Sequence, residues 1–126
     1  MKLNLYDEIS TLKSVILGNA YTLGNKPKIT QTYDPSSIIH LKKGTYPSKK
    51  DLINELELYK KTLENNKIEV LSLDNVKDCN QIYARDIGFV IDDFFFVSNI
   101  LPLRENEIIG LNTILKKIDK TKIVRL

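Results

Sequence analysis

Asp86 and Arg104 are the side chains whose types and placement suit ligand chemistry best. A carboxylate accepts hydrogen bonds from a planar cationic donor such as a guanidinium, and an arginine fork matches a carboxylate. Placed around one short hairpin, the two would face a polar ligand bearing both groups, as arginine or a related guanidino acid does. The hairpin is read from the residues between them. Ile87 to Ile91 forms one strand, Phe94 to Val97 a second, and Asp92-Asp93 the turn. Both runs are almost wholly apolar, as in strands buried on both faces, and the two-residue gap fits a tight connection. Asp86 then stands at the mouth of the first strand, with Arg104 just beyond the second, near the start of a helix.

Each of these residues also has a plainer reading. Asp86 can be a surface carboxylate or a partner for Arg85, and Arg104 can open a helix and pair with Glu105 or Glu107, exposed ion pairs being common and weak. Glu107, three residues after Arg104, reads as a solvated helix partner. His40, in the loop segment Ile38-Ile39-His40-Leu41, reads as a packing or surface histidine, since no acid or nucleophile pattern surrounds it. Cys79 follows Asp78, whose charge disfavours a thiolate. Phe94 to Phe96 reads as core.

The segment Tyr83-Ala84-Arg85-Asp86-Ile87-Gly88-Phe89-Val90-Ile91, followed by Leu103-Arg104-Glu105-Asn106-Glu107-Ile108-Ile109-Gly110-Leu111, resembles the amidinotransferase, dimethylarginine dimethylaminohydrolase and arginine deiminase superfamily, most closely its amidinotransferase branch. The resemblance implies a partial pentein-type α/β propeller of about two repeated strand-helix modules out of five. It implies that Asp86 binds the guanidinium of a small guanidino substrate and that Arg104 reads its carboxylate, with Arg85 structural. In that family a cysteine attacks the guanidinium carbon and an amine leaves with a proton from a histidine. The amidino group then passes to an amine in a transferase or to water in a hydrolase. His40 and Cys79 both precede the Arg-Asp pair and match neither catalytic position, which the family carries in later modules. The Gly-Gly-Asp segment that usually follows is absent, and Asn80 stands where some relatives have an acid six positions before the aspartate. No catalytic residue is therefore expected here, and a complementing carboxy-terminal chain or self-association is the expected partner. The alternative is a non-catalytic binding or assembly module that uses an exposed sheet edge.

The elements that must position Asp86 and Arg104 follow from periodicity. Leu12 to Leu17 reads as a first strand closed by Gly18-Asn19, and residues 20–47 as a long irregular stretch containing Gly24, Pro27, Pro35 and Gly44. Ser48 and Asp51 resemble a capping box that opens a helix, with Leu52, Leu56, Tyr59 and Leu63 on one face and Asn65-Asn66 as its end. Ile68 to Leu73 reads as a buried strand. After the hairpin, a helix is expected from about Arg104 to Ile118, with Ile108, Leu111, Leu115 and Ile118 inward, and then a strand from Ile123 to Leu126. Two α/β units in tandem suit repeated modules, and the last strand leaves an edge open to association.

With 126 residues, the chain is expected to be one domain or a fragment of a larger one. Its 42% hydrophobic and 28% charged content argues against disorder. No apolar run reaches the ~20 residues that span a bilayer, so no membrane partner is expected and a cytoplasmic setting is the default. The net charge of +3 comes from lysines scattered among acids rather than a basic stripe, which argues against nucleic acid. One cysteine and one histidine make neither a disulfide nor a zinc or iron cluster, so no metal or cofactor is expected.

Overall fold

The computed structural model describes residues 1–32 and 34–126, and Tyr33, inside the stretch expected to be irregular, lies outside them. Strand β1 (Ser14–Leu17) pairs in parallel with β2 (Glu69–Ser72), placing Val15 beside Val70 and Ile16 beside Leu71. Parallel neighbours need a crossover. It is made by helices α1 (Pro35–Lys43) and α2 (Lys49–Asn65).

Helix α2 begins as its sequence dictates. The Ser48 hydroxyl accepts from the Asp51 N–H at 3.1 Å and donates to the Asp51 carboxylate at 2.6 Å. Its inward stripe runs through Leu52, Ile53, Leu56, Lys60 and Leu63, while Tyr59 is exposed. Ile53 moves the stripe: 56 to 60 to 63 and 56 to 59 to 63 are equally helical spacings, and only the first shares a face with Ile53.

Helix α1 corrects the expectation of irregular chain over residues 20–47, and it places His40 on a helix rather than in a loop. The residues read as breakers are its caps. Asp34 accepts from the Ser37 N–H at 2.7 Å, Pro35 takes the first helical position, and Gly44 closes the helix in the left-handed region at φ 69°. The Ser37 N–H bond holds the Asp34 carboxyl below the ordinary carboxylate range. A folded-state value below the unfolded one means that the cap stabilises fully above the ordinary value and loses its effect as pH falls through the lowered one. The Ser37 amide resonance should therefore move with acidification below that range as α1 frays. Asp34→Asn, which caps without titrating, should remove the pH dependence. A pH-independent Ser37 signal in the parent protein would contradict the assignment.

The second unit opens with the single turn α3 (Ala84–Ile87), followed by the antiparallel hairpin β3 (Gly88–Ile91) and β4 (Phe94–Val97), which turns through Asp92 at φ 54°. The first hairpin strand therefore starts at Gly88 rather than Ile87. Any Cβ at position 88 would stand 2.6 Å from the Phe95 ring, so the glycine marks where β3 can close on β4. Burial on both faces does not hold. Phe95 and Val97 are 1% and 2% exposed, but Phe89 and Ile91 on the opposite face are 41% and 51% exposed. Phe89 stacks on Phe96 with centroids 5.3 Å apart. Phe95 is core, whereas Phe94 and Phe96 are half-buried.

Strand β5 (Ile123–Arg125) lies parallel to β4. The link between them is not the single helix expected over 104–118. A 3₁₀ helix covers Pro102–Leu111, and only the turn α4 (Asn112–Leu115) is α-helical. Ile108-Ile109-Gly110 is a run of modest to poor helix formers, and Asp74 diverts the backbone here. Asp74 N–H donates to the Gly110 carbonyl at 2.8 Å, and its carboxylate accepts from the Thr113 N–H at 2.9 Å. Among the described residues the architecture is mixed α/β, with one two-stranded and one three-stranded sheet. The core gathers Leu73 from the first unit with Ile87, Phe95, Leu111 and Ile114 from the second. No helix among the described residues is long and apolar enough to cross a membrane.

Candidate functional site

Helix α3 and the 3₁₀ helix bring the two sequence-predicted residues together. Arg104 Nη1 donates to Asp86 Oδ2 at 3.0 Å, with the side chains 20% and 32% exposed. Both line an open cleft of about 510 Å³, walled by the segment after β4 through Asn99, Ile100, Leu101 and Pro102. On its solvent side, Asp86 Oδ1 lies 3.5 Å from Nε of the exposed Arg85 side chain. That exposed pair contributes little.

Glu107 corrects the reading of a solvated helix partner. It is only 5% exposed, and its two oxygens accept from Arg104 Nε and Nη2 at 2.7 Å each. This fork-to-fork geometry is the strongest form of charge-assisted pairing. Its cause is the helix type: at three residues per turn, side chains at i and i+3 eclipse, so Glu107 stands directly over Arg104. The sequence held two signals for this, the Pro102 that opens the segment and the helix-poor run Ile108-Ile109-Gly110 further along it.

Cys79 is buried, and burial first, then the Glu107 charge, pushes its thiol up, with Arg104 opposing. The buried acid close to it in space, rather than its chain neighbour Asp78, supplies the unfavourable charge. Its backbone is tied to Thr22, whose carbonyl accepts from the Cys79 N–H at 3.1 Å and whose hydroxyl donates to the Cys79 carbonyl at 2.9 Å. His40 lies on α1 with Nδ1 2.9 Å from the Thr45 hydroxyl. No hydrogen bond or ion pair among the described residues joins it to Asp86, Arg104 or Cys79. Asn80 turns its side-chain oxygen to the Ile82 N–H at 3.2 Å, within its own loop. No group of three or more metal-ligating side chains forms among the described residues.

The arrangement can therefore hold a charged ligand at a carboxylate and a braced guanidinium. Neither a scan against protein-family models nor a search of the curated proteins finds a significant match to the chain.

Proposed function

We propose that this chain is the substrate-binding part of an amidinotransferase-like enzyme acting on guanidino compounds such as arginine. Its two α/β units would be consecutive modules of a pentein propeller, working in a cytoplasmic setting. The observation that carries the reading is the meeting of Asp86 and Arg104 at 3.0 Å in one open cleft. A ligand with a guanidinium and a carboxylate exchanges this internal pair for two external ones. Its guanidinium takes the Asp86 carboxylate, and its carboxylate takes the Nη1 edge of Arg104, while Glu107 keeps the Nε and Nη2 edge in place. The nucleophile and the proton-transfer histidine come from a complementing chain, because the Cys79 thiol is buried and held protonated.

Calorimetric titration with L-arginine and L-citrulline tests this, since citrulline replaces the guanidinium with a neutral urea at nearly the same size. Arginine should bind and citrulline should not, and Asp86→Asn should weaken arginine by about tenfold or more. Equal binding of the two ligands, or an unaffected Asp86→Asn, would remove the guanidinium assignment.

The second reading, a non-catalytic assembly module, draws on Phe89 and Ile91, which are solvent-exposed on β3, an edge strand of the three-stranded sheet. It predicts concentration-dependent association in sedimentation that Phe89→Lys weakens and Asp86→Asn leaves alone. A chain that stays monomeric at all concentrations would rule it out.

A further inference from the structure

We propose a second binding site, at the carboxyl ends of β1 and β2, for a small zwitterion carrying an amine and a carboxylate a few bonds apart. It occupies a cavity of about 240 Å³ between the ends of those strands and the inward face of α2. This volume is below the range typical of drug-sized ligands and suits a small metabolite. The space beyond the carboxyl ends of parallel strands is where two loops diverge from the ladder and their side chains converge on one crevice. Here the floor is fixed. Gly18 is pressed against the carbonyl oxygens of Ile82 and Gln81, where any Cβ would stand at 2.1 and 2.3 Å from them.

The charges that line the cavity are arranged for a guest rather than for each other. Glu57 and Lys60 lie one helical turn apart on α2, are both half-buried, and both face the cavity. Such pairs ordinarily meet on a helix surface. These do not: the ion pairs of the described residues join other side chains, and the Lys60 ammonium has no hydrogen-bond partner among them. Tyr21 explains the gap, because its hydroxyl donates to Glu57 Oε1 at 2.8 Å and draws the carboxylate towards the loop after β1. That bond keeps the phenol protonated, raising its pKa, so Tyr21 remains a donor. Glu57 Oε2 and the Lys60 ammonium are then opposite charges on one cavity wall, partly withdrawn from water, with neither satisfying the other.

A simple anion placed beside Lys60 would face the Glu57 charge, and a simple cation beside Glu57 would face Lys60. A zwitterion answers both. Its carboxylate meets Lys60 and its amine meets Glu57. The Asn75 amide NH₂ makes no hydrogen bond among the described residues and supplies a further donor, while its oxygen is held by Asn19 Nδ2 at 3.4 Å. Ile53 and Leu56 give the wall an apolar backing that strengthens these contacts by excluding water. The site shares no lining residue with the Asp86–Arg104 cleft, so it stands or falls independently of the guanidino reading.

Amide shift mapping on the full chain, using β-alanine, propionate and propylamine as matched probes, decides the matter. β-Alanine should shift the backbone amides of Gly18, Asn19, Tyr21, Ser72 and Asn75 saturably, with a Kd on the order of millimolar. Propionate and propylamine, each lacking one charge, should bind at least about tenfold more weakly. Lys60→Met keeps the side-chain stem and should weaken β-alanine to the level of propylamine. Lys61→Met, on the exposed side of the same helix, should leave it unchanged. The spectrum of each variant reports whether it remains folded, and Glu57→Gln serves if Lys60→Met does not. Absence of saturable shifts at these amides, equal binding of propionate, or full binding by folded Lys60→Met and Glu57→Gln would overturn the proposal.

Discussion

Arg104→Met should destabilise the fold by about 3 kcal/mol, the low end of what breaking one side of a buried ion pair costs. Glu107 is the reason. Its carboxylate is 5% exposed and both its oxygens are served by the one guanidinium, so the substitution strands a charge away from water with no partner. The low end applies because Arg104 is itself one-fifth exposed and water can enter where the guanidinium was. Replacing both members by apolar residues, Arg104→Met with Glu107→Leu, should restore most of the loss, because a buried pair exchanged for hydrocarbon of similar volume is often neutral. Urea unfolding of the two single variants and the double variant closes the cycle, and the coupling should exceed about 1.5 kcal/mol. Additive losses would mean that Glu107 is as solvated as its sequence position suggests. Asp86→Ala belongs outside this pair: Asp86 is about one-third exposed, and its removal should cost less than about 1 kcal/mol. The three residues thus divide their roles, with Glu107 bracing Arg104 and Asp86 left available to a ligand.

The proximity of Asp86 and Arg104 was legible because they flank a hairpin, and a hairpin returns its two ends to the same place whatever the rest of the fold does. Strands β3 and β4 and the Ser48 cap were legible for the same reason, each being set by residues only a few positions apart. Glu107 was not. The Arg-Glu spacing is the same in any helix, and only a 3₁₀ helix superimposes the two side chains. That helix type is imposed from outside, by Asp74 taking backbone groups of Gly110 and Thr113. The start of β3 was lost for a different reason: in an unbroken apolar run periodicity cannot say whether Ile87 ends a helical turn or begins a strand, and the answer depends on where Phe95 stacks across the sheet. Apolar residues on both faces of β3 spoke of hydrophobicity, not of cover. Helix α1 was hidden by counting Pro35 and Gly44 as breakers when their order, proline at the start and glycine at the end, is that of a capped helix.

Gln81→Leu should cost about 3 kcal/mol although leucine is nearly the same size and leaves no cavity, because two backbone groups lose their partners at about 1–3 kcal/mol each. The side chain is 1% exposed. Its oxygen accepts from the Val76 N–H and its amide donates to the Asp74 carbonyl, both at 2.9 Å. Its own carbonyl accepts from the Asn19 N–H at 3.0 Å, and Asp74 in turn holds Gly110 and Thr113. Gln81 therefore joins the end of the first sheet to the helix that carries Arg104. Gly110 shows how closely this joint is packed, since a Cβ there would stand 2.4 Å from the Gln81 amide nitrogen. A surface glutamine would swing aside, but this one is held at both ends and cannot move without losing a bond. Gly110→Ala should then cost about 1–3 kcal/mol, as overpacking does. The same change made in Gln81→Ala should cost much less, because the atom it collides with is gone. Thermal unfolding of the four proteins measures that difference. If Gly110→Ala is equally damaging in both backgrounds, the space at position 110 is kept open for the Asp74 carbonyl and the Leu73 side chain, each 3.4 Å away, and Gln81 supports only its own loop.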